Sequence, residues 1–69
     1  MYYIAKNQFG IKSWARVKRL RDFKPEQGSE YVVAKTWKAI QGDSGLISIY
    51  VEANGKLEKT DRYKMFFHH

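Results

Sequence analysis

The chain has 69 residues and a formal net charge of +6, and 43% of its residues are hydrophobic. This length leaves room for one domain with a small core, and the hydrophobic content excludes an intrinsically disordered protein. The absence of cysteine excludes disulfide bonds and thiolate metal sites, and it agrees with a reducing compartment.

The N-terminal segment MYYIAKNQFGIK lacks the continuous apolar run of a signal peptide, and no stretch approaches the roughly 18 apolar residues of a membrane helix. We therefore expect a cytoplasmic protein without membrane contact. Tyr2 to Lys6 is interpreted as an extra edge strand or an extended arm. Residues 1–14 are accordingly predicted to be an N-terminal extension of a domain formed by residues 15–69.

The next segment, SWARVKRLRDFK, is compatible with two structures. As a helix over residues 13–22, its apolar side chains recur every three positions, which leaves no continuous apolar stripe. As a strand over Ala15–Arg21, it alternates apolar and basic side chains until Leu20 breaks the pattern. The strand is favoured because the strands predicted further along the chain need another partner. The alternative is an α+β fold with a short basic helix.

Turn signals divide the following residues into short strands. A loop over residues 23–29 contains proline and glycine, and it precedes a predicted strand over Glu30–Ile40 that is rich in β-branched and aromatic residues. A second turn covers residues 41–45. Leu46–Glu52 then shows the most regular alternation of apolar and polar residues in the chain, which predicts a strand with one buried face.

The C-terminal third begins with a hairpin signal. Asn54-Gly55 favours a type I′ turn, followed by a return strand over Lys56–Lys59. A single 3₁₀ turn over residues 60–62 and a closing strand over Tyr63–Phe67 complete the prediction. The predicted core consists of apolar residues on these strands: Tyr31, Val33, Ile47, Ile49, Val51, Leu57, Tyr63 and Phe66.

Residues 15–67 resemble the small SH3-like β-barrels, especially the short ones found in bacteriophage genomes. The resemblance depends on ARVKRLRD as first strand, on GSEYVV after a loop, on the central hairpin LISIYVEANGKLE and on TDRYKMF as turn and closing strand. It implies an all-β fold, namely a small five-stranded SH3-like barrel with an N-terminal extension. A phage origin would imply a host-takeover or anti-defence role in the host cytoplasm.

The positive charge is distributed unevenly. Residues 1–24 carry seven basic side chains and one acidic one, whereas residues 25–69 carry six of each, so the whole excess lies in the first third. Basic side chains contact phosphates, and aromatic side chains stack on unpaired bases. This predicts a nucleic-acid-binding module that prefers RNA or single strands, because no recognition helix is evident.

The predicted contact residues are the basic side chains of residues 12–24, the two lysines beside Trp37, and three aromatic residues. The aromatic residues, Trp14, Trp37 and Tyr50, would form a stacking platform around an outward-facing basic strand. The full set is Lys12, Trp14, Arg16, Lys18, Arg19, Arg21, Lys24, Lys35, Trp37, Lys38 and Tyr50.

The sequence offers no arrangement of catalytic groups. The two histidines, His68 and His69, are adjacent at the C-terminus, so we expect no enzyme, no cofactor and no metal site. Two other functions remain open. The basic face could instead bind a host protein as an inhibitor or adaptor, with nucleic acid bridging the two. The arm over Tyr2–Lys6 could also pair sheet edges in a homo-oligomer.

Overall fold

The computed structural model describes residues 1–40 and 46–65, which form five strands in one antiparallel sheet. The prediction of an all-β fold with five strands is confirmed. No helix within the described residues is long and apolar enough to cross a membrane. The elements are β1 (Tyr2–Lys6), β2 (Ala15–Val17), a 3₁₀ turn (Leu20–Asp22), β3 (Glu30–Ala34), the single helical turn α1 (Trp37–Ile40), β4 (Leu46–Ala53) and β5 (Lys56–Met65). The order of the strands in the sheet is β2-β1-β3-β4-β5.

β1 lies inside the sheet. Ile4 is paired with Ala15 of β2 on one side and with Val33 of β3 on the other, and only 1% of Ile4 is exposed. The prediction that Tyr2–Lys6 forms an edge strand or an arm is therefore wrong, and β1, the strand within residues 1–14, belongs to the same sheet as the other four strands. Because both edges of β1 are already paired, it cannot pair with the edge of a second copy in the way the oligomer hypothesis required.

β2 is shorter than predicted. Strand pairing ends at Val17, and the 3₁₀ turn follows, with the N–H of Phe23 donating to the carbonyl of Leu20 at 3.1 Å. The predicted strand over Ala15–Arg21 is correct for its first three residues only, and the predicted helix over residues 13–22 is wrong. The turn forms because Leu20 packs on the same face of the sheet as Val17, which a continued strand would not allow.

β3 ends at Ala34, so the predicted strand over Glu30–Ile40 is wrong in its second half. The remaining residues form α1, whose start is stabilised by the hydroxyl of Thr36, which accepts a hydrogen bond from the N–H of Ala39 at 3.2 Å. Trp37 therefore lies on a helical turn instead of a strand.

The β4–β5 hairpin follows the sequence prediction closely. Its turn has positive φ at both central residues, 53° at Asn54 and 80° at Gly55, as a type I′ turn requires. β5 continues through the predicted 3₁₀ turn with a bulge, where Thr60 Oγ1 donates to the carbonyl of Ile49 at 2.7 Å and accepts from the N–H of Arg62 at 3.1 Å. The predicted turn over residues 41–45 and the last two residues of the predicted closing strand lie outside the described residues.

Both faces of the sheet carry apolar residues. Alternate residues of β1 and β3 point to opposite faces, which divides the core into two clusters. The face we call face A carries Ala5, Val32, Ala34, Ile47 and Ile49, with Ile40 of α1 and the half-buried Tyr3, Ile11 and Trp14 packed on them. The opposite face B carries Ile4, Tyr31 and Val33, covered by Val17, Leu20, Phe23, Tyr50 and Leu57.

This double-sided core explains the errors in the predicted core. Four of its members are buried, namely Tyr31, Val33, Ile47 and Ile49, and Val51 and Leu57 are half-buried. The prediction that Tyr63 is a core residue is wrong, since Tyr63 is 54% exposed. Phe66 lies outside the described residues. The prediction missed five buried residues because it assigned β3 one apolar face and placed β1 at an edge: Ile4, Ala5, Val32, Ala34 and Ile40.

The sheet curls so that β5 approaches the chain that follows β1. Lys64 Nζ donates to Asn7 Oδ1 at 2.8 Å and to the carbonyl of Gln8 at 3.1 Å, and Arg62 forms an ion pair with Glu30 on β3. These side-chain contacts link the two halves of the sheet. The curled shape is compatible with a small barrel.

Candidate nucleic-acid interface

An open groove of about 430 Å³ lies on face A. Three aromatic and two basic side chains line it: Tyr3, Lys12, Trp14, Arg16 and Trp37. β1 supplies Tyr3, and β2 supplies Arg16 directly opposite Tyr3 in the strand register. Strand pairing and the position of α1 thus bring together groups that are more than 30 positions apart in the chain.

Tyr3 and Trp37 form the wall of the groove next to α1. Their ring centroids are 5.5 Å apart and their planes meet at 62°, an edge-to-face contact of the kind aromatic pairs favour. Rings at this angle cover each other only in part, and Trp37 keeps 46% of its surface exposed. The indole therefore has free surface on which a planar group can stack.

The other wall is held by the segment that leads into β2. Ile11 and the half-buried Trp14 pack against the core cluster of face A, which holds this loop against the sheet. Lys12 lies between them in sequence and is exposed. Packing by its neighbours therefore fixes the position from which Lys12 reaches the groove.

Most of the basic residues of the N-terminal third have no acidic partner among residues 1–40 and 46–65. Lys6 is the exception, because its Nζ lies 2.6 Å from Oε2 of Glu26, and this hydrogen bond raises the pKa of Lys6. Within the described part of the chain, six others form no ion pair with a carboxylate: Lys12, Arg16, Lys18, Arg19, Arg21 and Lys24. Their positive charge is free to attract an anionic partner.

Two acidic residues that follow the basic segment in sequence, Glu26 and Glu30, already have partners. Arg62 and the side-chain amide of Asn7 both bond to Glu30, and these contacts lower the pKa of that carboxyl. Glu26 is occupied by Lys6. The carboxylates of residues 26 and 30 therefore offset charges elsewhere on the sheet and leave the groove cationic.

The structure brings together four of the eleven predicted contact residues, Lys12, Trp14, Arg16 and Trp37, and adds Tyr3. Sequence reasoning missed Tyr3 because it placed β1 at an edge. The position of Tyr3 could have been predicted from the alternation of side chains within YYIAK, which places Tyr3 and Ala5 on the same face of a strand.

The other seven predicted contact residues lie outside the groove, at several places on the surface. The prediction of a single basic strand beside a stacking platform is therefore wrong. Lys18 and Arg19 are exposed just after β2, and Arg21 lines a separate cleft on face B. Tyr50 is half-buried on face B, so it does not face outward or join the two tryptophans. Lys35 lines a further cavity beside Tyr50, whereas Lys24 and Lys38 are exposed and outside the groove. The cause is the early end of β2, after which strand alternation no longer applies.

In residues 1–40 and 46–65, no group of three or more acidic or histidine side chains is arranged to hold a metal ion. His68 and His69 lie outside these residues. The chemistry that the described groove offers is stacking and charge pairing.

Comparisons of the chain with protein-family models, with curated proteins and with solved structures give no match. The resemblance to SH3-like phage barrels stays a prediction, and the function has to be argued from the groove itself.

Proposed function

We propose that this protein is a non-catalytic nucleic-acid-binding module that holds unpaired bases of a single strand, preferably RNA, in the groove on face A. The observation that supports this is the combination of three aromatic side chains with two cations that have no carboxylate partner among the residues the structure describes. Base stacking on aromatic side chains and phosphate contacts from Lys or Arg are the two terms of single-strand binding.

The groove favours a single strand over a duplex. Bases inside a duplex are stacked on one another and expose only their edges, whereas an unpaired base can turn its face to Trp37. Arg16 suits the phosphate beside such a base, because its planar guanidinium donates two parallel hydrogen bonds. Lys12, as a compact charge on a flexible stem, adds a second phosphate contact.

Two further cations extend the proposed path. Lys18 and Arg19 are exposed immediately after β2, the strand at the edge of the sheet. A strand that leaves the groove past Arg16 meets them next. Two phosphate contacts predict a slope of log affinity against log salt of about −1.4, and four predict about −2.8.

The test is a titration with a labelled single-stranded RNA, in which binding is measured from the anisotropy of the label and from the intrinsic fluorescence of the protein. The chain has two tryptophans and both line the groove, so quenching of their emission reports occupation of this site. We expect quenching and a salt slope between about −1.4 and about −2.8, with weaker binding of a duplex of the same sequence. The absence of binding at low salt would refute the proposal.

The competing proposal is a protein-binding inhibitor or adaptor of the phage type, acting on a host enzyme or defence protein. Phe9 favours it, because this large apolar side chain is fully exposed in the loop after β1 and aromatic residues commonly anchor protein interfaces. A pull-down from host lysate with and without nuclease separates the two functions. A partner that survives nuclease treatment and is lost in Phe9→Ser supports protein binding.

A further inference from the structure

A second cleft, of about 150 Å³, lies between the 3₁₀ turn and the start of β5. Its lining residues are Leu20, Arg21, Phe23, Lys56 and Leu57. Its three apolar members pack on the face-B cluster of Ile4, Tyr31 and Val33. The cleft is therefore on the opposite side of the sheet from the groove that holds Trp14 and Trp37.

The floor of this cleft is apolar and well supported. Phe23 meets Tyr31 edge to face, with ring centroids 5.2 Å apart and planes at 76°, and the Tyr31 hydroxyl accepts the N–H of Glu26 at 2.7 Å. Leu20 and Leu57 supply aliphatic walls. The lining holds two leucines and a single half-buried aromatic ring, so the cleft suits an aliphatic side chain better than a stacked base.

The rim of the cleft is cationic. Arg21 and Lys56 are exposed, and neither forms an ion pair with a carboxylate in the described part of the chain. Glu52 lies opposite Leu57 in the strand register, but its carboxylate accepts the N–H groups of Gly28 at 3.0 Å and Gly55 at 2.7 Å. The rim is therefore complementary to a partner's carboxylates.

We propose that this cleft binds an acidic protein segment that inserts one aliphatic side chain between Arg21 and Lys56. The charge of the rim selects the acidic flanks, and the volume and lining of the cleft select the aliphatic anchor. This proposal does not depend on nucleic-acid binding. Because the two sites lie on opposite faces, one molecule can hold a nucleic acid and an acidic protein at the same time.

The test uses a fluorescently labelled peptide with one central leucine and three glutamates on each side, measured by anisotropy at low salt. We expect binding that weakens at least about tenfold when serine replaces the leucine, since burial of a leucine side chain is lost. A peptide with glutamines in place of the glutamates should lose binding, because the rim then has no charge to pair.

Two double variants with the same change in net charge locate the site. Arg21→Glu with Lys56→Glu should abolish peptide binding and leave binding of single-stranded RNA within about twofold. Lys12→Glu with Arg16→Glu should do the reverse. All four side chains are exposed at the surface, so the fold is expected to persist, and urea midpoints check this.

Three results would overturn the inference: no binding of the leucine peptide, equal loss of peptide binding in both double variants, or loss of RNA binding in the Arg21 and Lys56 variant. The last result would assign the cleft to the nucleic-acid path. Failure of the proposed function is a separate result, because it appears as absent RNA binding by the wild-type protein and leaves the peptide measurements interpretable.

Discussion

Replacement of Trp37 by alanine is the sharpest single test of the groove. Trp37 provides the largest exposed aromatic surface there, with 46% of the side chain accessible. Loss of one stacked base costs about 1–3 kcal/mol, which corresponds to roughly 5- to 150-fold weaker binding. The substitution also removes the edge-to-face contact with Tyr3, which contributes about 0.5–1.5 kcal/mol to the free energy of unfolding. The free energy of RNA binding should therefore fall by more than the free energy of unfolding.

The assay is anisotropy of a labelled oligouridine of about 12 nucleotides, a length within the footprint of single-strand-binding domains. In the variant, Trp14 is the remaining tryptophan, and its quenching shows whether any RNA still enters the groove. Tyr63→Ala is the matched control. Tyr63 is 54% exposed and pairs with Ser48 on face B, so its loss removes a similar exposed aromatic away from the groove.

Two results would refute this reasoning. The Trp37 variant could bind within about twofold of wild type, although stacking alone predicts a larger loss. Alternatively, Tyr63→Ala could lose as much affinity as Trp37→Ala. Either result would mean that face A does not hold the bases.

Three further variants test the fold. Ile4→Ala should lower the free energy of unfolding by about 2–5 kcal/mol, because Ile4 is 1% exposed in a central strand, and a loss below about 1 kcal/mol in urea unfolding would contradict its place in the core. Gly55→Ala should cost about 1–2 kcal/mol by the same measurement, since φ is 80° there, and an unchanged midpoint would exclude the type I′ turn. The N–H groups of Gly28 and Gly55 hold the pKa of Glu52 below its ordinary value, so its stabilising effect is present at neutral pH and is lost as pH falls through the folded pKa. Glu52→Gln should therefore be less stable at neutral pH and lose less stability on acidification below about pH 4.5, and urea midpoints that fall in parallel with wild type would contradict this.

Local sequence signals predicted the C-terminal hairpin and the charge asymmetry. Short-range sequence specifies both β4, through the alternation over Leu46–Glu52, and the hairpin turn, through Asn54-Gly55. The formation of this hairpin therefore depends little on the rest of the fold. The concentration of basic residues before residue 25 is likewise a property of the sequence alone. It indicated an anionic partner without showing which surface would meet it.

Only the tertiary structure decided which of these residues act together. β1 became a central strand because Ile4 and Ala5 bury apolar side chains on both faces, a result that depends on β2 and β3 and not on the five residues of β1. That placement positioned Tyr3 against Trp37. The turn at Leu20 then separated the basic run, leaving Arg16 in the groove and carrying Arg21 to the opposite face. Composition and short-range pattern determined the C-terminal hairpin and the charge, whereas long-range pairing of strands determined which side chains share a face and form a site.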